Sequence, residues 1–355
     1  MHPDRKTELD KWDAYYQAHF DLFGELPKTD ASTRYDVSNR GLIEKLGGEH
    51  RVVQLCLPEG IGDVSWVYSK LWALKGIIDR EVIIYCAGER LKRAQDFIDH
   101  MLPNVHWGGY LDDRVSNQVV GQCLPPDWPH TEGLDRFVKP FIQNISANFH
   151  LEMGRPLAEW IPLLPVNYHY PMNYRPAAVA LAERLLRVVG ERFVVLYCSN
   201  YQKDTLSQGW AQWDIDGWEW FGKKLCETLD CGIVVVGAEY DRDKSSDLVT
   251  RLEAADKPVT AFINKPIDSV VHALTKAAYC VSYESGIGVL ANVVNCPCLS
   301  LMSWPHMAIG LSSQDPVQTH LGHYLPMPNP SPELALASFL QRGKPHVDKR
   351  LAALS

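Results

Sequence analysis

The sequence predicts an α/β protein made of two doubly wound, Rossmann-like domains facing each other across a cleft. Three observations carry this expectation. Short apolar runs alternate with segments of helical period from residue 51 to residue 302. In the second half the runs are continuous in Val, Ile and Leu, the pattern of strands buried on both faces of a parallel sheet covered by helices. Between the two alternating halves lies a stiff stretch, 165–176, with three prolines and no helical period. A chain of 355 residues also exceeds one ordinary core and suits two domains of common size.

In chain order, the first fifty residues hold two polar helical patterns, at 8–23 and 38–46, and read as a helical extension packed on the first domain. The first domain, 51–165, should contain strands at 51–57, 81–86 and 104–107 and helices at 64–77, 90–101, 134–149 and 157–164. Residues 108–129 show no period and read as loop. The second domain, 177–331, should run helix 177–189, strand 193–198, helix 218–229, strand 232–236 and helix 242–255. It should continue with strand 259–262, helix 267–278, strand 279–283, helix 288–294 and strand 298–302. A helical pattern at 332–340 opens a C-terminal segment, 332–355.

Composition narrows the function classes. Hydrophobic residues at 46% and charged residues at 22% describe a folded chain, not a disordered one. A net charge of -8 argues against a partner held mainly through phosphates. No run approaches the roughly 20 apolar residues of a membrane span, and the polar opening residues lack the apolar core of a signal peptide. The nine cysteines are odd in number, and Cys56, Cys86, Cys198 and Cys280 lie in apolar strand-like runs, as free buried thiols do. A cytoplasmic setting follows as the expectation. Cys296-Pro297-Cys298 lacks the spacing and His partners of a zinc site, so no metal is expected there.

In open α/β sheets, ligands bind outside the carboxyl ends of the strands, so chemistry should follow Leu57, Cys198, Val236, Tyr283 and Met302. Four sequences stand at such places. Gly60-Ile61-Gly62-Asp63 links a strand to a helix; its glycines permit a tight turn close to a ligand, and Asp63 suits an N-cap. Ser199-Asn200-Tyr201-Gln202-Lys203, followed by Trp210, sets a lysine beside small polar residues, which suits a phosphate, although a loop lysine is equally a solvated one. Gly237-Ala238-Glu239 and the acidic residues after it suit a ribose diol, or the first turn of a helix. Glu284-Ser285-Gly286-Ile287-Gly288 opens a helix whose N–H groups and dipole suit a diphosphate, with Ser285 adding a hydroxyl and Glu284 accepting from sugar hydroxyls. As a plain alternative it is a capped turn.

Taken in order, these motifs resemble glycosyltransferase family 9, the group of the lipopolysaccharide heptosyltransferases. Matching features are Gly60-Ile61-Gly62-Asp63-Val64, the loop with Ser199, Asn200, Lys203 and Trp210, then Gly237-Ala238-Glu239, and last Glu284-Ser285-Gly286. The last motif carries Glu284 and Val289 where the family usually has Asp and a downstream His. The resemblance implies the glycosyltransferase B fold, with the donor held by the second domain and the C-terminal helix crossing back to the first. It implies an inverting, metal-independent transfer from a nucleotide sugar, which is a co-substrate in place of any cofactor, to a glycan or small hydroxyl acceptor. Asp63 would be the general base, a role that can coexist with capping. Other readings stay open: transfer to a modified base in nucleic acid, a non-catalytic sugar-nucleotide-binding protein, or an epimerase or hydrolase. The tryptophans near 210–220 could stack on bases or sugars, or simply pack in the core.

Overall fold

The computed structural model describes residues 42, 44–47, 52–58, 61, 62, 64, 65, 81–87, 92–111, 172–199, 213–283, 285–302, 322–326 and 330–354. The helices expected at 8–23, 134–149 and 157–164 lie outside them. Two separate parallel sheets organise the rest. The first pairs β1 (Val52–Pro58) with β2 (Glu81–Ala87) and β2 with β3 (Val105–Leu111), and α1 (Lys92–Met101) joins the last two. Phe97, Ile98 and Met101 share one face of α1 and are fully buried, as are Ile83 and Ile84 of the strand beside it.

β3 runs four residues past its expected end and takes Gly108–Leu111 out of the expected loop. The register slips between Ile84, opposite Trp107, and Tyr85, opposite Gly109, which leaves Gly108 as the extra residue of a bulge. Gly109 sits at φ 120, a conformation other residues avoid. The two glycines that broke the apolar pattern are thus what the bulge requires.

The second sheet is built from α2 (Pro176–Leu186), β4 (Phe193–Tyr197), α3 (Ile215–Leu229), β5 (Gly232–Gly237), α4 (Arg242–Ala254) and β6 (Val259–Ile263). It continues through α5 (Ile267–Lys276), β7 (Tyr279–Tyr283), α6 (Gly286–Val293), β8 (Cys298–Met302) and β9 (Gly322–Pro326). Its order is β6-β5-β4-β7-β8-β9, all parallel, which counted from β4 is the doubly wound order. α3 and α4 cover one face, where Trp218, Phe221, Leu225 and Leu229 pack on Leu196, Ile233 and Val235. α2, α5 and α6 pack side by side elsewhere on the sheet. Cys198, Cys226, Cys231, Cys280, Cys296 and Cys298 are free and buried.

Local chemistry moves two helix starts. Asp214 caps α3 by accepting the Gly217 N–H at 2.8 Å, so the helix begins at Ile215, not at Trp218. Ser285 caps α6, which therefore begins at Gly286, two residues ahead of the expected start at Gly288. β9 has no counterpart in the sequence pattern, since Gly322 opens it, Pro326 closes it, and pairing with β8 alone defines it.

The C-terminal segment forms α7 (Pro332–Ser338), a π turn (Phe339–Gly343) and α8 (Lys344–Leu354). The Phe339 ring meets Tyr279 edge-on at 5.0 Å. The Arg350 guanidinium donates to the carbonyls of Ala277 at 2.7 Å and Thr275 at 2.6 Å, with further bonds to Leu274 and Asn295. These contacts join the C-terminal segment to the second domain. Among the described residues, no helix is long and apolar enough to cross a membrane.

The α3 face gives a direct stability test. Phe221→Ala should cost about 3–5 kcal/mol in urea unfolding, whereas Val188→Ala, at an exposed position, should change stability by about 0.5 kcal/mol or less.

Candidate functional site

In the second sheet, successive crossovers run one way from β4 to β6 and the other way from β7 to β9. The switch point lies between β4 and β7, and loops leaving the carboxyl ends of those strands diverge around a crevice. Three of the four motifs end there: Ser199 just past β4, Glu239 just past β5, and the Ser285 turn just past β7.

Ser199 is fully buried, and its Oγ has no hydrogen-bond partner among the described residues. Beside it, Tyr197 donates its hydroxyl to Asp241 Oδ2 at 3.2 Å, and the Ala238 N–H donates to the same oxygen at 2.8 Å. Burial pushes the Tyr197 phenol well up, which keeps it a donor. Asp241 is fully buried, and its Oδ1 has no partner among the described residues. Cys198 Sγ lies 3.8 Å from Ser245 Oγ, and burial raises its thiol as well, so it is a packing residue and not a nucleophile.

Sequence reasoning gave this corner to Glu239 and the acidic residues after it, with Glu239 singled out, and did not separate Asp241 from the rest of that run. Glu239 is exposed and holds Arg242 in a fork, Oε1 to Nε at 2.7 Å and Oε2 to Nη2 at 2.5 Å. Asp241 instead fastens the end of β5 to the end of β4. Nothing in the sequence separates the two carboxylates; only the turn after Ala238 does.

Trp213 was likewise missed as an anchor. Its backbone N–H donates to the Tyr283 hydroxyl at 2.5 Å, its indole N–H donates to the Pro330 carbonyl, and its own carbonyl accepts Lys244 Nζ at 2.9 Å. The ring lies 4.8 Å from Trp218 and 5.1 Å from Phe221. Trp213 and Trp218 are core residues, and Trp220 packs half-buried against the same core. Trp213 is therefore fixed beside Tyr283 at the end of β7, and Ser199 lies just past the end of β4.

At the end of β7, Ser285 Oγ accepts the Gly288 N–H at 3.4 Å, while Gly286 and Ile287 open the helix half-buried and Gly288 is buried. N–H groups in a first turn have no intrahelical acceptor, and with the dipole they present positive charge. The first-domain motif meets this turn directly. Ile61 and Gly62 are already helical, ahead of the expected start at Val64, and Ser65 Oγ donates to the Ile61 carbonyl. A methyl group on Gly62 would stand 3.0 Å from Gly286 Cα and 3.5 Å from Val289 Cγ2. One on Gly286 would stand 3.0 Å from the Gly62 nitrogen. The two helix starts touch backbone to backbone.

Of the residues singled out by sequence, the structure thus brings Gly62, Ser199, Ser285, Gly286, Ile287 and Gly288 to the switch point or the seam beside it, with Glu239 at its surface edge. Asp63, Asn200, Lys203, Trp210 and Glu284 lie outside the described residues. No cluster of three metal-binding side chains occurs among the described residues.

No family model matches the chain, and no curated protein matches its sequence. Solved structures do match its fold. The E. coli ADP-heptose lipopolysaccharide heptosyltransferase II aligns with 83% of this chain and 99% of its own, at 12% identity and a TM-score of 0.51. A glycosyl transferase family 9 protein from Veillonella parvula aligns over 84% and 98%, at 10% identity and a TM-score of 0.55. The chain therefore has the glycosyltransferase B fold: two Rossmann-like domains facing across a cleft. The likeness spans nearly the whole of both neighbours.

The glycine contact can be tested apart from any activity. Alanine is the better helix former by about 1 kcal/mol, so Gly286→Ala should leave the second domain at least as stable. It should also displace the two helix starts by a few tenths of an ångström, which changes the backbone amide chemical shifts of Ile61 and Gly62 across the seam. Unchanged shifts at Ile61 and Gly62 would show that the contact is not made.

Proposed function

We propose that the protein transfers a sugar from a nucleotide-sugar donor to a hydroxyl of a glycan or small acceptor, with inversion and without a metal. The observation that carries this reading is the docking of the Gly62 turn on the Gly286 turn beside the switch point. It sets the helix start suited to a leaving diphosphate against the first-domain motif whose next residue is Asp63. The fold shared with the E. coli heptosyltransferase and the family 9 protein supports the same reading.

In this mechanism the acceptor hydroxyl gives its proton to Asp63 while its oxygen attacks the anomeric carbon from the face opposite the diphosphate. The bond from that carbon to the diphosphate oxygen breaks, and negative charge collects on the leaving group. First-turn N–H groups at Gly286, Ile287 and Gly288 and the Lys203 ammonium take up that charge. Ser285 and Glu284 hold donor hydroxyls. Ser199, Asn200 and Trp210 line the donor, and Glu239 takes the ribose diol in exchange for part of its fork with Arg242. The Ser199 Oγ, buried and without a partner among the described residues, supports a ligand at this corner, because an unmet buried hydroxyl costs free energy that a ligand atom can recover.

A thermal-shift screen of nucleotide sugars identifies the donor, and product detection with candidate acceptors then measures turnover. Asp63→Asn should lower turnover by a factor on the order of 10²–10⁴ with donor affinity nearly unchanged. Near-normal turnover in that variant would remove Asp63 as base. Lys203→Ala should weaken the nucleoside diphosphate by about 1.5–3 kcal/mol in calorimetry, the contribution of one charged hydrogen bond. Unchanged affinity would move the diphosphate elsewhere.

A further inference from the structure

The seam between the domains holds a second contact, in the connection itself. Asn173 donates its N–H to the Met101 carbonyl at the end of α1, at 2.9 Å, which ties the connection to the first domain. The Tyr174 ring meets His272 of α5 edge-on at 5.9 Å, which ties it to the second. Arg175 does both. Its Nη1 and Nη2 fork onto the two oxygens of Asp96 on α1, both at 3.1 Å. Its Nε and Nη2 reach the two oxygens of Asp268 on α5, both at 2.8 Å, and its backbone N–H adds a third bond to Asp268 at 3.1 Å.

The two halves of this bridge differ in kind. The Asp268 side chain is 0% exposed, and the Arg175 and Asp96 side chains are 36% exposed. Burial works against the Asp268 charge, yet the hydrogen bonds from Arg175 outweigh it and hold the carboxyl below its ordinary value. Removing either member of a buried pair strands the other, so the Asp268 half is permanent. The Asp96 half is longer, half-exposed, and open to screening by salt. Asp96 also lies 3.5 Å from the His100 ring on its own helix.

We infer that Arg175 is a latch at the domain connection: fixed to the second domain through Asp268, it holds the first domain through Asp96 and releases it when the cleft opens. The planar guanidinium is what allows one side chain to serve two carboxylates by forks; an ammonium offers no such geometry. The latch acts on the relation between domains and goes beyond the sugar-transfer reading, since it holds whatever the cleft binds.

The test uses the full chain without ligand, with dyes attached through non-natural residues at exposed Asp99 on α1 and Glu253 on α4. Single-molecule energy transfer then reads the distribution of inter-domain distances. Asp96→Asn and Arg175→Lys should both broaden it toward longer distances, while Asp96→Glu should keep it close to that of the unmodified protein. Raising the salt from about 0.01 M to about 1 M, which shortens the screening length from about 30 Å to about 3 Å, should broaden the unmodified protein and leave Asp96→Asn unchanged. A purely structural role would instead lower the melting temperature of Asp96→Asn with no change in distance. Equal distributions in the unmodified protein and Asp96→Asn, or an equal salt response in both, would overturn the latch.

Discussion

The arrangement depends on one close approach, that of the Gly62 and Gly286 backbones across the domain seam. Each glycine belongs to the turn in which a strand of one domain passes into a helix. A Cβ at either position would stand 3.0 Å from the backbone of the other, tighter than an ordinary contact, so one of the two turns would have to give by a few tenths of an ångström. Its consequence is electrostatic as well as steric. At the start of α6 the helix dipole presents positive charge beside this contact, and an anion there relieves it. The proposed diphosphate is such an anion.

Around this contact the second domain is the rigid partner. Its strands β4, β5 and β7 are buried along nearly their whole length, and the switch point follows from their order. Tyr197, Asp241 and Ala238 fasten the ends of β4 and β5 together, while the Trp213 N–H is fastened to Tyr283 of β7. These bonds leave little freedom at the floor of the crevice. Between the domains, Arg175 grips one side through a buried carboxylate and the other through a half-exposed one.

Much of the second domain was legible because its strands are continuous apolar runs and its helices have clear periods, so every strand from Phe193 to Met302 falls where the pattern puts it, to within a residue or two. What failed did so for local reasons. The bulge in β3 needs glycines, and glycines read as loop. β9 lacks the β-branched run that marks a buried strand. Helices α3 and α6 start early because caps at Asp214 and Ser285, not hydrophobic period, decide where a helix begins. At the site, strand ends and turns were legible from the rule that ligands sit at carboxyl ends. The division of labour between Glu239 and Asp241 was not, since two carboxylates two residues apart are equivalent until the turn buries one of them. Nor could the sequence show Arg175 joining Asp96 to Asp268, which are 79 and 93 residues away from it.

The central claim is that a donor diphosphate binds at the start of α6, where the Gly62 turn docks. Hydrogen–deuterium exchange with and without a panel of nucleoside diphosphates tests it most directly. The expected result is slowed exchange at the amides of Gly286, Ile287 and Gly288, accompanied by slowed exchange at Ile61 and Gly62 from the opposite domain. Protection confined to segments away from both turns, with these amides exchanging as in the free protein, would contradict it.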